Sequence, residues 1–332
     1  MSRRLVLPIV VAAVIGLVLL GVHDGASVAR AWLCAFVLIS MVPIGSLVLL
    51  LTHGITGGRW GEDLSPVLAP AARTIPLLLL AFVPIMLFRP LIYSWSTLPL
   101  PHDVRSFYLD PAFFDARSVA GIVVWSVLAW TAAWRRPLYA ALGLTAHLVI
   151  VTVVPADWVL TIAPGSVSAG FGLGFGIEQL FAALAFTAVL APQPAGRANR
   201  DLAGMMMTTL LATVYFFYMA FIITWYGNIP AKVHWYTVRA GGGWALELLV
   251  AFVLGAALPF LAVLNPKIRS DPSLLRIVGT LVLAGIALHV VWLIVPALGA
   301  LVLVPATFAA LVIALLLWLA SRAVVFRGGA TG

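Results

Sequence analysis

The stretch "AWLCAFVLISMVPIGSLVLLLT", residues 31–52, runs for 22 residues without one charged side chain. As an α-helix it would rise about 33 Å, which is enough to cross a hydrocarbon core of about 30 Å. Similar apolar runs recur along the chain. The sequence therefore predicts an all-α, polytopic transmembrane helical bundle.

The composition supports this fold class. Hydrophobic residues make up 63% of the chain and charged residues 9%, whereas about a quarter of an ordinary soluble domain is charged. The net charge of +8 is spread over short connectors, so it indicates topology and contact with anionic lipid rather than nucleic acid. The single cysteine, Cys34, excludes a disulfide, a Cys-ligated iron–sulfur cluster and a covalent c-type haem within the chain.

Hydropathy divides the whole chain, residues 1–332, into one integral membrane domain with about ten helices. The predicted spans are residues 5–22, 31–52, 74–93, 118–134, 138–155, 172–192, 202–225, 244–264, 276–296 and 298–321. The first apolar stretch is longer than the 7–15 residues of a signal peptide, so we expect a retained helix, with cleavage as the alternative. Pro296 and Gly299 predict the turn between the last two spans.

The distribution of Arg and Lys predicts the orientation. Thirteen cations lie in one set of termini and connectors and five in the opposite set, and the richer set is expected in the cytoplasm. Both termini are therefore predicted to be cytoplasmic, in a bacterial inner membrane. The connectors 94–117, 156–171 and 226–243 are predicted to face outward.

Four ionisable residues lie inside predicted spans: His147, Glu178, Glu247 and His289. Such groups are costly at bilayer depth and are candidates for function. All four are expected at mid-depth or in the outer half, where carboxylates and imidazoles could pass protons. The alternative for each is a structural hydrogen bond between helices.

Three further residues are predicted at the outer rim, namely Arg89, Asp157 and Trp158, where they could face a quinone. The two intramembrane histidines differ in depth by about 6 Å, so a haem held between them is not expected. No metal or haem ligand set is predicted in this chain, and no catalytic residue is assigned.

The connector after the seventh predicted span is rich in aromatic residues, which suit the membrane interface. We interpret it as a structured edge where a partner docks over the outer polar residues. Its candidate docking residues are Trp225, Asn228, Pro230, Trp235, Tyr236 and Trp244.

Several motifs together resemble one family. "THGITGGRWGED" (52–63), "TIPLLLLAFVPIMLFRPLIYSW" (74–95) and "ADWVLTI" (156–162) are similar to ActF, an NrfD/PsrC-like membrane subunit of bacterial alternative complex III. The most specific part is the Trp–x–Gly–Asn–x–Pro and Trp–Tyr pattern between residues 225 and 236. The resemblance covers roughly residues 40–300.

This resemblance implies an NrfD-like fold and a role in electron transport in a respiratory chain. The chain would be a cofactor-free subunit of a quinol:cytochrome c or quinol:oxidase oxidoreductase, providing a proton path or a quinone-side scaffold. Menaquinol or ubiquinol would be the quinol. The implied partners are a sister NrfD-like subunit, an iron–sulfur subunit, multihaem cytochrome c subunits and a terminal oxidase. A secondary transporter and a purely structural anchor are the alternatives.

Overall fold

The computed structural model describes residues 3–97, 104–163, 166, 168–190, 196–228, 230–299, 302–307 and 309–314. These residues form α-helices joined by short turns, with no strand in the described part. The α-helices, in chain order, are α1 Arg3–His23, α2 Gly25–Thr56, α3 Arg59–Ala72, α4 Leu77–Leu87, α5 Arg89–Ile92, α6 Val104–Tyr108, α7 Pro111–Trp130, α8 Pro137–Val159, α9 Phe171–Leu190, α10 Arg197–Gly227, α11 Pro230–Val238, α12 Trp244–Phe252, α13 Leu258–Leu264, α14 Pro266–Ser270 and α15 Pro272–Leu298.

The structure confirms the all-α bundle. Within the described ranges, seven helical segments are long and apolar enough to cross a membrane. They are α2, α7, α8 with the 3₁₀ turn Leu160–Ile162, α9, α10, α12 to α13 through the π-helical turn Val253–Ala257, and α15. The helices α3 and α4 form an eighth if the bent pair is one span.

The predicted third span, residues 74–93, differs most from the structure. A helix already occupies Arg59–Ala72, where the sequence predicted a connector, and it meets α4 at a bend of 41°. Pro76 explains the break, because proline lacks an N–H and disfavours helical backbone at Ile75 before it. The helix then ends at Leu87, and Arg89 begins the separate short helix α5.

The predicted connector 226–243 and the end of the ninth predicted span also have defined local structure. The connector 226–243 contains the helix α11, and Asn228 ends α10 in the left-handed conformation, with φ 41°. The helix α15 ends at Leu298, followed by Gly299 with φ 101°. Of the predicted last span, residues 302–307 and 309–314 are described and are mostly helical, and the residues after 314 lie outside the described part.

The helix α9 lies at the centre of the bundle, packed against α2, α8, α10 and α15. Small residues allow this close packing. A Cβ added at Gly45 of α2 would overlap the main-chain carbonyl of Gln179 on α9, so the two backbones touch. Because α9 has neighbours around it, polar residues on its different faces contact different helices.

A cluster of aromatic rings fixes the other half of the bundle. The Trp158 ring packs edge-on against Phe36, with 4.9 Å between centroids, and also contacts Phe82. Tyr93 is buried beside Phe114 and donates its hydroxyl hydrogen to the Trp158 carbonyl at 3.0 Å. This cluster joins α2, α4, α7 and α8 through apolar contacts.

Candidate functional site

Two of the predicted intramembrane residues form a buried pair. Glu178 of α9 and His289 of α15 share a hydrogen bond of 2.6 Å between Oε1 and Nδ1. The Glu178 side chain is 2% exposed and the His289 side chain 13%. The second carboxylate oxygen, Oε2, is buried and has no hydrogen-bond partner among the described residues. The pair therefore has one oxygen free to accept a proton or a hydrogen bond.

Two aromatic rings pack against the His289 imidazole. Phe217 of α10 meets it edge-on, with 4.5 Å between centroids, and Trp292 stacks on it at 6.1 Å with an interplanar angle of 17°. These contacts restrict rotation of the imidazole, so Nδ1 remains directed at Glu178.

The pair lines a cavity of about 740 Å³, within the range of small-molecule sites. The helices α9, α10, α11, α12 and α15 form its walls, which are mainly apolar. Tyr218 and Trp225 of α10 and Leu249 and Phe252 of α12 line it and are also exposed on the protein surface. The cavity thus opens sideways between two apolar helices, where a membrane-dissolved molecule could enter.

Closely packed backbone forms part of the cavity wall, where the π-helical turn meets α15. Gly255, in the π-helical turn, and Gly285 of α15 both line the cavity, and a Cβ on either residue would meet the other's backbone. π-Helical turns occur often at functional sites. Here the turn brings α12 and α13 against α15 without side chains between them.

Arg239 closes the α11 end of the cavity. Its side chain is 1% exposed and lies over the Trp235 ring, 3.2 Å from the centroid. Its Nε and Nη2 donate to the Leu293 carbonyl at 3.3 and 2.8 Å, and its Nη1 donates to the Trp235 carbonyl at 3.0 Å. Burial lowers the pKa of Arg239 to about 9, so the guanidinium is still cationic at neutral pH.

In the sequence, Arg239 is one of five cations in the predicted outward-facing connectors. The sequence spacing predicts a contact between Trp235 and Arg239. They are four residues apart, so on a helix both side chains project from the same face. Thr213 lines the cavity, and its buried hydroxyl has no partner among the described residues. It had no comparable sequence signal, since threonine is common in apolar spans.

The structure places His147 away from this cavity. It accepts a hydrogen bond at Nδ1 from Trp125 Nε1 at 3.2 Å, and its Nε2 faces Gly176 on α9. Gly176 and Glu178 are two residues apart, about 200° around the helix. His147 therefore packs against the face of α9 opposite to the one that carries Glu178.

Glu247 is also separate from the Glu178–His289 pair. It lies in the first turn of α12, is partly buried, and does not line the cavity, although its neighbour Leu248 does. A carboxylate in this position interacts favourably with the N-terminal end of the helix dipole.

The three predicted rim residues belong to a second polar cluster. Arg89 forms an ion pair with Asp115 of α7. The fully buried Asp157 accepts two hydrogen bonds from Arg117, at 2.9 and 3.2 Å. None of these residues lines the cavity.

Contacts around Arg117 and Trp158 complete this second cluster. The Arg117 guanidinium lies over the rings of Tyr108 and Phe113, at 4.1 and 4.3 Å, and burial and the nearby Asp157 raise the pKa of Tyr108. Trp158 is fully buried and donates Nε1–H to Ser118 Oγ at 3.1 Å. The cluster joins α5, α6, α7 and α8.

The predicted docking residues divide between the cavity and the surface. Trp225, Trp235 and Tyr236 line the cavity, whereas Pro230 begins α11 and Trp244 begins α12. Trp225 is 61% exposed and Trp235 only 8%. The segment is thus a helical cover over the cavity.

In the described ranges, no three His, Cys, Asp or Glu side chains converge as metal ligands.

A comparison with protein-family models found no match, and a comparison with curated protein sequences found none either. The class of protein that the fold defines is a helical bundle with seven or eight helices able to cross a membrane.

Proposed function

We propose that this chain is an integral membrane subunit of a quinol oxidoreductase complex, in which the cavity receives a quinol and the Glu178–His289 pair accepts its proton. One observation carries the proposal. A buried carboxylate–imidazole pair with a free oxygen lines an apolar cavity that opens between two membrane-type helices.

The chemistry suits a quinol. Oxidation releases two protons and two electrons from the quinol, and a phenolic hydroxyl can donate its hydrogen to the free Oε2 of Glu178. The Oε1–Nδ1 hydrogen bond joins the His289 imidazole to the same carboxyl group. In this proposal the electrons pass to acceptors in partner subunits.

The wider proposal follows the resemblance. The seven long helices, the bent pair, α1 and the helical residues between 303 and 314 would together give ten spans of an NrfD-like fold. Both termini would be cytoplasmic, and α11 would lie on the outer side of a bacterial inner membrane. The partners would be a sister NrfD-like subunit, an iron–sulfur subunit and multihaem cytochrome c subunits, with a terminal oxidase as a further partner.

Replacement of the pair tests the proposal. Glu178→Gln and His289→Asn should each slow quinol oxidation by the purified complex about 100-fold, the lower end of the range for a positioned proton acceptor. The matched control is His147→Asn, which should stay within about twofold of wild type because His147 contacts the opposite face of α9.

Other outcomes would change the conclusion. Wild-type turnover in an assembled complex with Glu178→Gln would remove the proton-accepting role. Normal turnover after neutralising all four intramembrane candidates would favour a structural anchor. Solute uptake into vesicles by the purified chain alone would favour a transporter.

A further inference from the structure

The Arg239 guanidinium has unused donors beside the cavity. An arginine side chain carries five N–H groups, and three of those of Arg239 are donated to the Leu293 and Trp235 carbonyls. Two N–H groups, one each on Nη1 and Nη2, are left. No acidic residue in the described part of the chain forms an ion pair with Arg239, although its side chain is 1% exposed and lines the cavity.

The second polar group of the cavity, the Glu178–His289 pair, is about one helical turn away. Arg239 binds the carbonyl of Leu293, four residues and about 6 Å along α15 from His289. Trp292 connects them, because its ring stacks on His289 and its Nε1 donates to the Arg239 carbonyl at 3.2 Å. The cavity lining therefore contains a cationic donor and a carboxylate–imidazole pair, with the Trp292 ring in contact with both.

We propose that Arg239 is the second binding residue for the ring of the ligand, donating hydrogen bonds to the oxygen opposite the one that meets Glu178. The inference rests on the proposed function and deepens it. It specifies a planar ring with oxygens at positions 1 and 4, one directed at Arg239 and the other at the Glu178–His289 pair. Positive charge at Arg239 also favours partial negative charge on that oxygen.

The test compares two ligands in two proteins. The purified chain in lipid nanodiscs is titrated with an alkyl 1,4-naphthoquinol, kept reduced under anaerobic conditions, and with the matching 1-naphthol, which lacks the second oxygen. Quenching of tryptophan fluorescence reports binding, because Trp225, Trp235 and Trp292 line the cavity. In the wild type the quinol should bind about ten- to hundredfold more tightly than the naphthol, the effect of one hydrogen bond to a charged group.

In Arg239→Met the ratio of the two dissociation constants should fall to about one, because the second oxygen of the quinol then has no donor. Lys232→Met is the matched control and should keep the wild-type ratio, since Lys232 is partly exposed and makes no described contact with Arg239. The ratio reports only on folded protein, so partial unfolding of a variant does not change it.

The outcomes separate this inference from the proposed function. Equal weakening of both ligands in Arg239→Met, with the ratio retained, would show a purely structural arginine and overturn the inference. A wild-type ratio near one would overturn it as well, while leaving quinol binding intact. Absence of quinol binding to the wild type would overturn the proposed function and the inference together.

Discussion

The buried ion pair between Arg117 and Asp157 gives the clearest test of how this fold is held together. Asp157 is fully buried, and Arg117 donates two hydrogen bonds to its carboxylate oxygens, which also interact with the Tyr108 hydroxyl. The change Arg117→Met keeps much of the side-chain volume and removes the charge. Removing one partner of a buried pair leaves the other charge uncompensated, which costs about 3–5 kcal/mol.

The magnitude can be checked by unfolding the chain in mixed micelles with increasing denaturing detergent. The control is Arg197→Met, because Arg197 is 71% exposed and lies 3.5 Å from Asp201 in an exposed helical pair. That change should cost no more than about 0.5 kcal/mol. Adding Asp157→Asn to Arg117→Met should recover part of the loss, because the unpaired charge is then gone.

Equal effects of Arg117→Met and Arg197→Met would refute the reasoning. A double variant whose loss of stability equals the sum of the losses in Arg117→Met and Asp157→Asn would refute it as well. Residues in one ion pair should not behave additively.

The remaining predictions concern packing and a buried hydrogen bond, each measured in the same unfolding assay. Gly45→Ala should destabilise the chain by about 1–3 kcal/mol through overpacking, because the new methyl group would overlap the Gln179 carbonyl. Gly204→Ala should instead be neutral or stabilising by up to about 1 kcal/mol, since nothing lies near its added Cβ; similar losses at both glycines would contradict this. Tyr93→Phe should cost about 1 kcal/mol by removing the hydrogen bond to the Trp158 carbonyl, and an unchanged stability would show that this bond contributes nothing.

Part of the candidate site was predictable from the sequence. Glu178 and His289 attract notice because ionisable residues are rare in apolar spans, and the structure brings them into one hydrogen-bonded pair. His147 met the same criterion but binds Trp125 instead. The rule identifies unusual residues, but it does not tell which unusual residues meet each other.

Arg239 shows the opposite case. In the sequence it is one of five cations on the predicted outer side, and nothing in its charge distinguishes it from an exposed arginine. It is buried because α11 packs over the cavity and places Arg239 beside Leu293, near the end of α15. Its position depends on contacts between segments more than fifty residues apart.

The sequence by itself determined the chain's helical nature, the approximate boundaries of most long helices and the position of each polar residue along its helix. Those properties are local, because hydropathy, proline and glycine act within a few residues of their own position. The tertiary structure decided the bend between α3 and α4, the helical cover over the cavity and the grouping of Glu178, His289 and Arg239. The physical reason is rotational. Successive residues turn about 100° around a helix axis, and only packing against neighbouring helices determines which of those directions leads into the cavity.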